Sequence, residues 1–371
     1  MADGLRRMLS RVGVRSTVFY DGLQQLSSLP LPFRDYVMRD GIDLKRVTRH
    51  TLGYLVHQIP AISRFAARLR TFDAVVVVSS IPTAFLRSFF SDRTVRALLP
   101  NTPIVLYDVF YLPTRGPWGK WLKEGTHKFV DGPGNWGLDR YDWYLCASVV
   151  SETPMPPGPQ PYSLVGLDLD DGALRPEQKT EFIALLDFEY PETVRERAVQ
   201  IQACEEAAVP YVVLNGHYSI QKIREIYRNT SVYFLASRES FGLPICELQA
   251  CGSYVFTPDI HWCPSHWLKT DVSQPGAGEL SPNFVVYHSD KSYLIQELRR
   301  IRATYNPHKV ANTFLRYHPQ LFHGNEHELR MFVQKLQSGA INSQAHRRYG
   351  GIVGLGEFPG YEPVPSMARA A

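Results

Sequence analysis

Val232-Tyr233-Phe234-Leu235-Ala236-Ser237-Arg238-Glu239-Ser240-Phe241-Gly242-Leu243-Pro244-Ile245-Cys246-Glu247 starts as an apolar run, crosses a polar turn holding a glycine and enters a helix-like segment. That segment ends at Cys251-Gly252, and a second apolar run, Tyr254-Val255-Phe256, follows. The order is strand, glycine-containing turn, helix, strand, with one carboxylate in the turn (Glu239) and one inside the helix (Glu247). In a parallel α/β domain this order places unpaired backbone N–H groups and the positive end of a helix dipole together, which favours an anion. Gly242 lets the chain approach a ligand where a Cβ would obstruct it. Pro244 fits the first helical turn, where its missing N–H costs nothing.

Two glutamates eight residues apart are uninformative alone, because Glu181 and Glu189 share the spacing without the glycine turn. The information lies in the setting: carboxylate, Phe-Gly-Leu-Pro, carboxylate, with a strand on either side.

Outward from this stretch, the chain of 371 residues is 44% hydrophobic, enough for two domains of ordinary size. A net charge of +4 suits an anionic substrate or a membrane surface and falls far short of a nucleic-acid-binding composition. The five cysteines are odd in number and scattered, which points to a reducing, cytoplasmic compartment rather than a disulfide framework. No apolar run approaches a membrane span, and the N-terminus has no signal-peptide core. Leu5, Met8, Leu9 and Val12 recur at helical spacing among Arg6, Arg7, Arg11 and Arg15. Such a helix can lie on the inner face of an anionic membrane as a peripheral contact, or dock on its own domain.

Apolar runs alternate with helical patterns along the first half. Strands are expected at 16–20, 74–78, 103–108 and 143–147, with a helix from Pro82 towards Leu99 and a long Gly-, Pro- and Trp-rich loop over 113–137. Ser151-Glu152-Thr153-Pro154-Met155-Pro156-Pro157-Gly158-Pro159-Gln160-Pro161 reads as a linker. We therefore expect an N-terminal domain over 1–155, a C-terminal domain over 156–336 and a tail over 337–371. Beyond the linker, strands are expected at 182–186 and 211–214 before the opening stretch, and helices over 194–201, 219–227, 292–305 and 326–336. Strand–helix alternation on both sides of a linker gives an α/β fold of two Rossmann-like domains with an interdomain cleft. The glycine-rich 350–356 follows no expected strand and is discounted as a phosphate loop. His261, Cys263 and His266 cluster but lack a fourth ligand, so no metal site is expected from them. Asp168-Leu169-Asp170 has the form of a DxD metal tripeptide but follows the linker rather than a nucleotide-binding strand.

The run from Ile226 through Glu247, continued by Leu248-Gln249-Ala250-Cys251-Gly252-Ser253, resembles the donor-site signature of retaining GT-B glycosyltransferases of the group 1, family 4 type. Upstream, Gly216-His217-Tyr218-Ser219 resembles the loop that meets the nucleotide in that family. The resemblance covers about residues 205–260. It implies that Ser240 and the amides of Phe241, Gly242 and Leu243 hold the donor diphosphate, with Gly216, His217 and Arg238 near the nucleotide. It further implies that Glu247 accepts from the ribose hydroxyls and Glu239 contacts the transferred sugar. By the same resemblance the N-terminal domain is the acceptor side and the C-terminal domain binds the nucleotide sugar. No metal and no cofactor are implied beyond the nucleotide-sugar donor, since preorganised N–H groups stabilise the departing diphosphate.

Three positions depart from the family pattern. Its diphosphate-clamping Arg and Lys are replaced after the first strand of the second domain by Asp187-Phe188-Glu189-Tyr190, leaving Arg195, Arg197, Lys222 or Arg238 as substitutes. The nucleotide domain looks one strand–helix unit short. The place of a His-Asp pair facing the acceptor reads Tyr107-Asp108, so Asp108 either orients an acceptor hydroxyl or is a strand-end turn residue. The expected activity is transfer of a sugar from a nucleotide sugar to a hydroxyl acceptor on a glycan, lipid or other molecule. The alternatives are a catalytically inactive glycosyltransferase-like binding protein, or a GT-B enzyme with an atypical donor or a nucleic-acid acceptor.

Overall fold

The computed structural model describes residues 1–19, 59–78, 99–111, 142–150, 162–189, 193–235, 242–257, 281–287 and 289–342. They form two all-parallel sheets with helices packed on them. In the first, β1 (Val75–Val78), β2 (Ile104–Tyr111), β3 (Trp143–Val150) and β4 (Tyr162–Leu164) lie side by side in chain order. The second has the order β6-β5-β7-β8-β9, built from β5 (Ala184–Leu186), β6 (Tyr211–Val213), β7 (Val232–Phe234), β8 (Tyr254–Thr257) and β9 (Phe284–Val286). The α/β class with two Rossmann-like sheets is as expected. Among the described residues the second sheet has five strands.

Side chains along these short strands alternate between two apolar layers, as the pleat requires. Leu185, Tyr233 and Val255 face one layer, which also holds Ile245, Leu248 and Phe314. Ala184, Leu186, Val232, Phe234 and Phe256 face the other. Two helices cover this second layer. α3 (Val194–Glu206), counting α1 (Ala2–Arg11) and α2 (Ile59–Leu69) before it, contributes Ala203 and Cys204. α6 (Lys291–Thr304), which follows α4 (Ile220–Asn229) and α5 (Leu243–Ala250), contributes Leu294, Leu298 and Ile301.

Several helix starts follow from local chemistry. Ser219 accepts from the Lys222 N–H at 3.2 Å and Asp290 from that of Tyr293 at 3.1 Å. Asn306 and Asn325 do the same for α7 (Pro307–Tyr317) and α8 (Glu326–Gln337). Gly252 ends α5 with φ +87°: its N–H reaches Gln249 O at 2.9 Å, and the N–H of Ser253 reaches Leu248 O at 2.8 Å. That doubly bonded stop requires a left-handed residue.

Four findings differ from the sequence reading. β4 lies beyond the proline-rich segment yet pairs with β3, Tyr144 opposite Tyr162, so the first sheet extends past the 155/156 division. α8 packs on β4 and on α1, returning the chain to the first unit from the far end. No strand forms over 16–19; Phe19 instead stacks edge-on against Phe65 and Phe72. The strand at 103–108 runs on to Tyr111 as β2.

The N-terminal helix docks on its own protein. Leu5, Met8 and Leu9 are buried, a contribution of roughly 1.5–3 kcal/mol each as an upper bound. Its apolar stripe is therefore already used and is not left for a lipid surface. Between it and the rest lies Asp168, whose carboxylate is fully buried and accepts from Arg11 Nη1 at 2.7 Å and Arg7 Nη2 at 3.2 Å. Arg7 Nη2 also donates to the Asp168 carbonyl at 2.8 Å. This removes Asp168-Leu169-Asp170 as a metal tripeptide, because the first carboxylate is spent on two guanidiniums. Around it the two segments that cross between the sheets run side by side: Leu167 N–H to Gln320 O and Leu169 N–H to Phe322 O, both 2.8 Å.

Among the described residues no helix is long and apolar enough to cross a membrane. Cys146, Cys204, Cys246 and Cys251 are buried and form no disulfide among the described residues.

Candidate functional site

The second sheet has a reversal point. From β5 the chain moves to β6 on one side, then returns past β5 to β7 on the other, giving the doubly wound order 2-1-3-4-5. In such sheets the crevice beyond the carboxyl ends of the two strands flanking the reversal is where ligands bind, because the following loops diverge there. Here those strands are β5 and β7. Leu235 after β7 and Gly242 before α5, the described residues that bound the connection between those two elements, lie at the β7 side of that crevice.

Gly242 is the buried residue immediately before α5, with φ −120° and ψ 131°. That conformation is open to any residue, so the glycine is not there for left-handed backbone. The Ile245 N–H turns back to the Gly242 carbonyl at 3.1 Å and Pro244 has no N–H, so Leu243 carries the outward amide of the first turn. Of the other residues expected at the donor, Arg238, Ser240 and Phe241 lie outside the described residues, as does Glu239.

Glu247 stands one turn inside α5. Burial pushes its carboxyl up to about 6, against the pull of Arg224, while Asp171 adds to the rise. Arg224, on α4, pairs with Asp171 at 2.7 Å. Its Nε is buried and has no hydrogen-bond partner. A largely buried carboxyl whose ionisation is made this costly is unusual for a merely structural residue, and such perturbed groups concentrate at functional sites.

The loop after β6 comes to the same rim. Gly216 has φ +67° with nothing within 4 Å of where a Cβ would stand, so its need is conformational. His217 beside it is exposed. Tyr218 packs its ring on Phe188, which follows β5, at 6.4 Å between centroids, and its hydroxyl accepts from the Asn215 N–H at 3.2 Å. The structure thus brings Gly216 and His217 beside the end of β5.

Asp108 lies within β2, opposite Cys146 on β3, with a register shift between Asp108 and Phe110. It is not a strand-end residue: the strand continues past it through an irregularity of the kind found next to active sites. Glu181 and Glu189 sit before and after β5, so the same eight-residue spacing puts them at opposite ends of one strand and joins them in no site. His261, Cys263 and His266 lie outside the described residues, among which no cluster of three metal-ligating side chains occurs.

Of the substitutes for a basic clamp, Lys222 is exposed and pairs with Glu225 at 3.1 Å, and Arg195 is exposed on α3. Arg197 is buried, 3% exposed, behind the end of β5. Gln200 and Tyr287, which bond with it in one network, were not singled out from sequence. Their only signal was helical spacing, Gln200 lying three residues after Arg197.

No protein-family model matches this chain, and no curated protein does. Among solved structures it is similar to a point mutant of S. aureus TarM in complex with fondaparinux, alpha-GlcNAc-glycerol and UDP. That match has 10% identity, covers 73% of this chain and 58% of that one, and has a TM-score of 0.40. It is similar to the GtfA/B complex at 12% identity, covering 75% and 60%, with a TM-score of 0.33. It is similar to CalG4, the calicheamicin glycosyltransferase, at 14% identity, covering 84% and 94%, with a TM-score of 0.33. The chain spans less than two thirds of the first two. Likenesses this distant carry no argument about chemistry, which rests on the chain's own geometry.

Proposed function

We propose that this chain is a glycosyltransferase of the GT-B kind. It takes a sugar from a nucleotide-sugar donor held by the second sheet and passes it to a hydroxyl acceptor on the side of the first. The observation that carries the reading is the glycine-led start of α5 at the reversal between β5 and β7, with the perturbed carboxyl of Glu247 one turn inside. Amides there suit a diphosphate, and an ionised Glu247 suits two vicinal ribose hydroxyls.

In this reading Phe241, Gly242 and Leu243 hold the diphosphate, with Ser240 and Arg238 in the same loop. Gly216 and His217 meet the nucleotide, Glu239 contacts the transferred sugar, and Asp108 orients the acceptor. The glycosidic bond breaks as charge gathers on the leaving diphosphate, which the amides stabilise without a metal, and the acceptor enters on the same face, retaining configuration. The unit boundary falls after β4, and the enzyme works in a reducing, cytoplasmic compartment.

A second reading has its own observation. Asp187 and Glu189 stand where a basic clamp belongs, which favours an atypical donor or a binding protein without catalysis. Thermal denaturation with a panel of nucleoside diphosphates tests both, because a ligand at 100 times its Kd stabilises by about 2.7 kcal/mol. A rise in Tm with at least one is expected; no rise with any of them would sink the donor site. Binding without sugar transfer or donor hydrolysis selects the second reading.

A further inference from the structure

Arg197 is the fourth residue of α3, and both of its bonded donors go inward. Nη2 donates to the carbonyl of Asp187, just past β5, and Nη1 donates to Gln200 Oε1 at 2.9 Å. Gln200, fully buried, turns its own Nε2 to the carbonyl of Leu235, just past β7, at 3.1 Å, and to Tyr287 Oη at 2.6 Å. Tyr287 follows β9. One buried chain of bonds therefore ties the ends of three strands, two of which flank the reversal point.

The tie itself needs no charge. An amide could bond the same carbonyls, and a buried guanidinium costs more to desolvate than an amide does. Burial lowers the Arg197 pKa, opposed by Asp187 and Glu189, yet a guanidinium stays charged in a protein. Its two bonded acceptors are neutral groups, and its Nε is buried with no hydrogen-bond partner. A permanent cation with an unspent donor thus lies under the crevice, in the unit whose surface clamp positions are acidic. It engages the Asp187 carbonyl directly and the Leu235 carbonyl through Gln200, strand-end dipoles that would otherwise repel an anion.

We propose that Arg197 is the positioning cation of the donor site: held beneath the β5 and β7 ends, it supplies the positive field for the diphosphate that the family draws from residues on the loop. This rests on the reading of function above. It makes diphosphate selectivity a property of α3, with Gln200 setting the guanidinium's place.

The test uses the full chain, the nucleoside diphosphate that stabilises it most, and the matching nucleoside without phosphates. Affinities are measured for wild type, Arg197→Gln and Arg197→Lys. The Gln variant is expected to lose about tenfold or more in diphosphate affinity, the scale of one charge pair at moderate effective dielectric, with nucleoside affinity kept within about twofold. The Lys variant keeps the charge only while its buried ammonium stays protonated, so its preference for diphosphate over nucleoside is expected to be kept at about pH 6 and to weaken as pH rises. A Gln variant that loses both ligands equally is a mere tie between strands, and one that loses neither shows the charge to be idle; either overturns the proposal. Should the Gln variant fail to fold, the Lys variant decides, since a preference for diphosphate over nucleoside that is unchanged across the pH range in which the buried lysine loses its proton overturns it too. Wild type binding no nucleoside diphosphate at all would instead sink the underlying reading of function, before any variant is compared.

Discussion

Replacing Glu247 by Gln is expected to make the protein more stable and worse at binding nucleotide, an opposition that a structural glutamate would not produce. Its carboxyl is raised from 4.5 to about 6, chiefly by burial. At about 1.4 kcal/mol per tenfold change in proton affinity, this is worth about 2 kcal/mol. The folded chain holds this proton more tightly than the unfolded one. The group's contribution to stability is therefore fully present below pH 4.5 and is lost as pH rises through 6. The groups coupled to it electrostatically are Arg224, Asp171, Tyr227, Cys251 and the amino group of Met1. Glutamine has the shape of the protonated form and carries no burial cost at high pH. Urea unfolding at pH 8 should thus show Glu247→Gln about 2 kcal/mol more stable than wild type, with the two converging near pH 4.5. Nucleoside-diphosphate affinity should fall about tenfold in the variant, as for a lost hydrogen bond to a charged acceptor. Wild-type affinity should climb more steeply between about pH 5 and 7 than that of the variant, in which only the ligand's own terminal phosphate titrates. Equal or lower stability of the variant at pH 8, with an unchanged pH slope, would refute the account of the buried carboxylate.

Two further outcomes follow from the frame around the site. Asp168→Asn leaves Arg7 and Arg11 without their shared carboxylate; because both arginines are about a third exposed and can rehydrate, the loss should be about 2 kcal/mol rather than the 3–5 of a fully buried pair, read by denaturant unfolding. A loss under about 0.5 kcal/mol would make the ion cluster decorative. Gly252→Ala places a Cβ 2.5 Å from Pro307 Cβ and 2.6 Å from its carbonyl oxygen, at φ +87°. It should cost more than about 2 kcal/mol by combining left-handed strain with overpacking, and a Tm within a degree of wild type would count against the α5–α7 contact as described.

Much of the second unit was legible in the chain because its signals are local. Apolar runs of three to five residues between helical patterns mark β5, β7 and β8, and Ser219 and the Gly252 stop declare their helix ends through bonds spanning a few residues. Glu247 was singled out the same way, from its place behind Phe-Gly-Leu-Pro. β4 was missed because its three residues follow a proline-rich run and acquire strand character only from β3. Asp168 was discounted as part of a metal tripeptide, but its actual role was not legible, since nothing nearby in sequence announces Arg7 and Arg11, more than 150 residues away.

By itself, the sequence determined that the chain is α/β and that one unit runs strand, glycine-containing turn, helix, an order whose helix start is electropositive. Period and turn chemistry are written in neighbouring residues, and a helix start is electropositive wherever it lies. Only the tertiary structure decided which strands flank the reversal, that the amphipathic N-terminal helix spends its apolar face inside, and that Arg197 is a buried cation rather than a surface one. Those facts depend on which segments distant in sequence pack together. Burial sets both the charge cost of Arg197 and the proton affinity of Glu247, and it exists only once the sheets have formed.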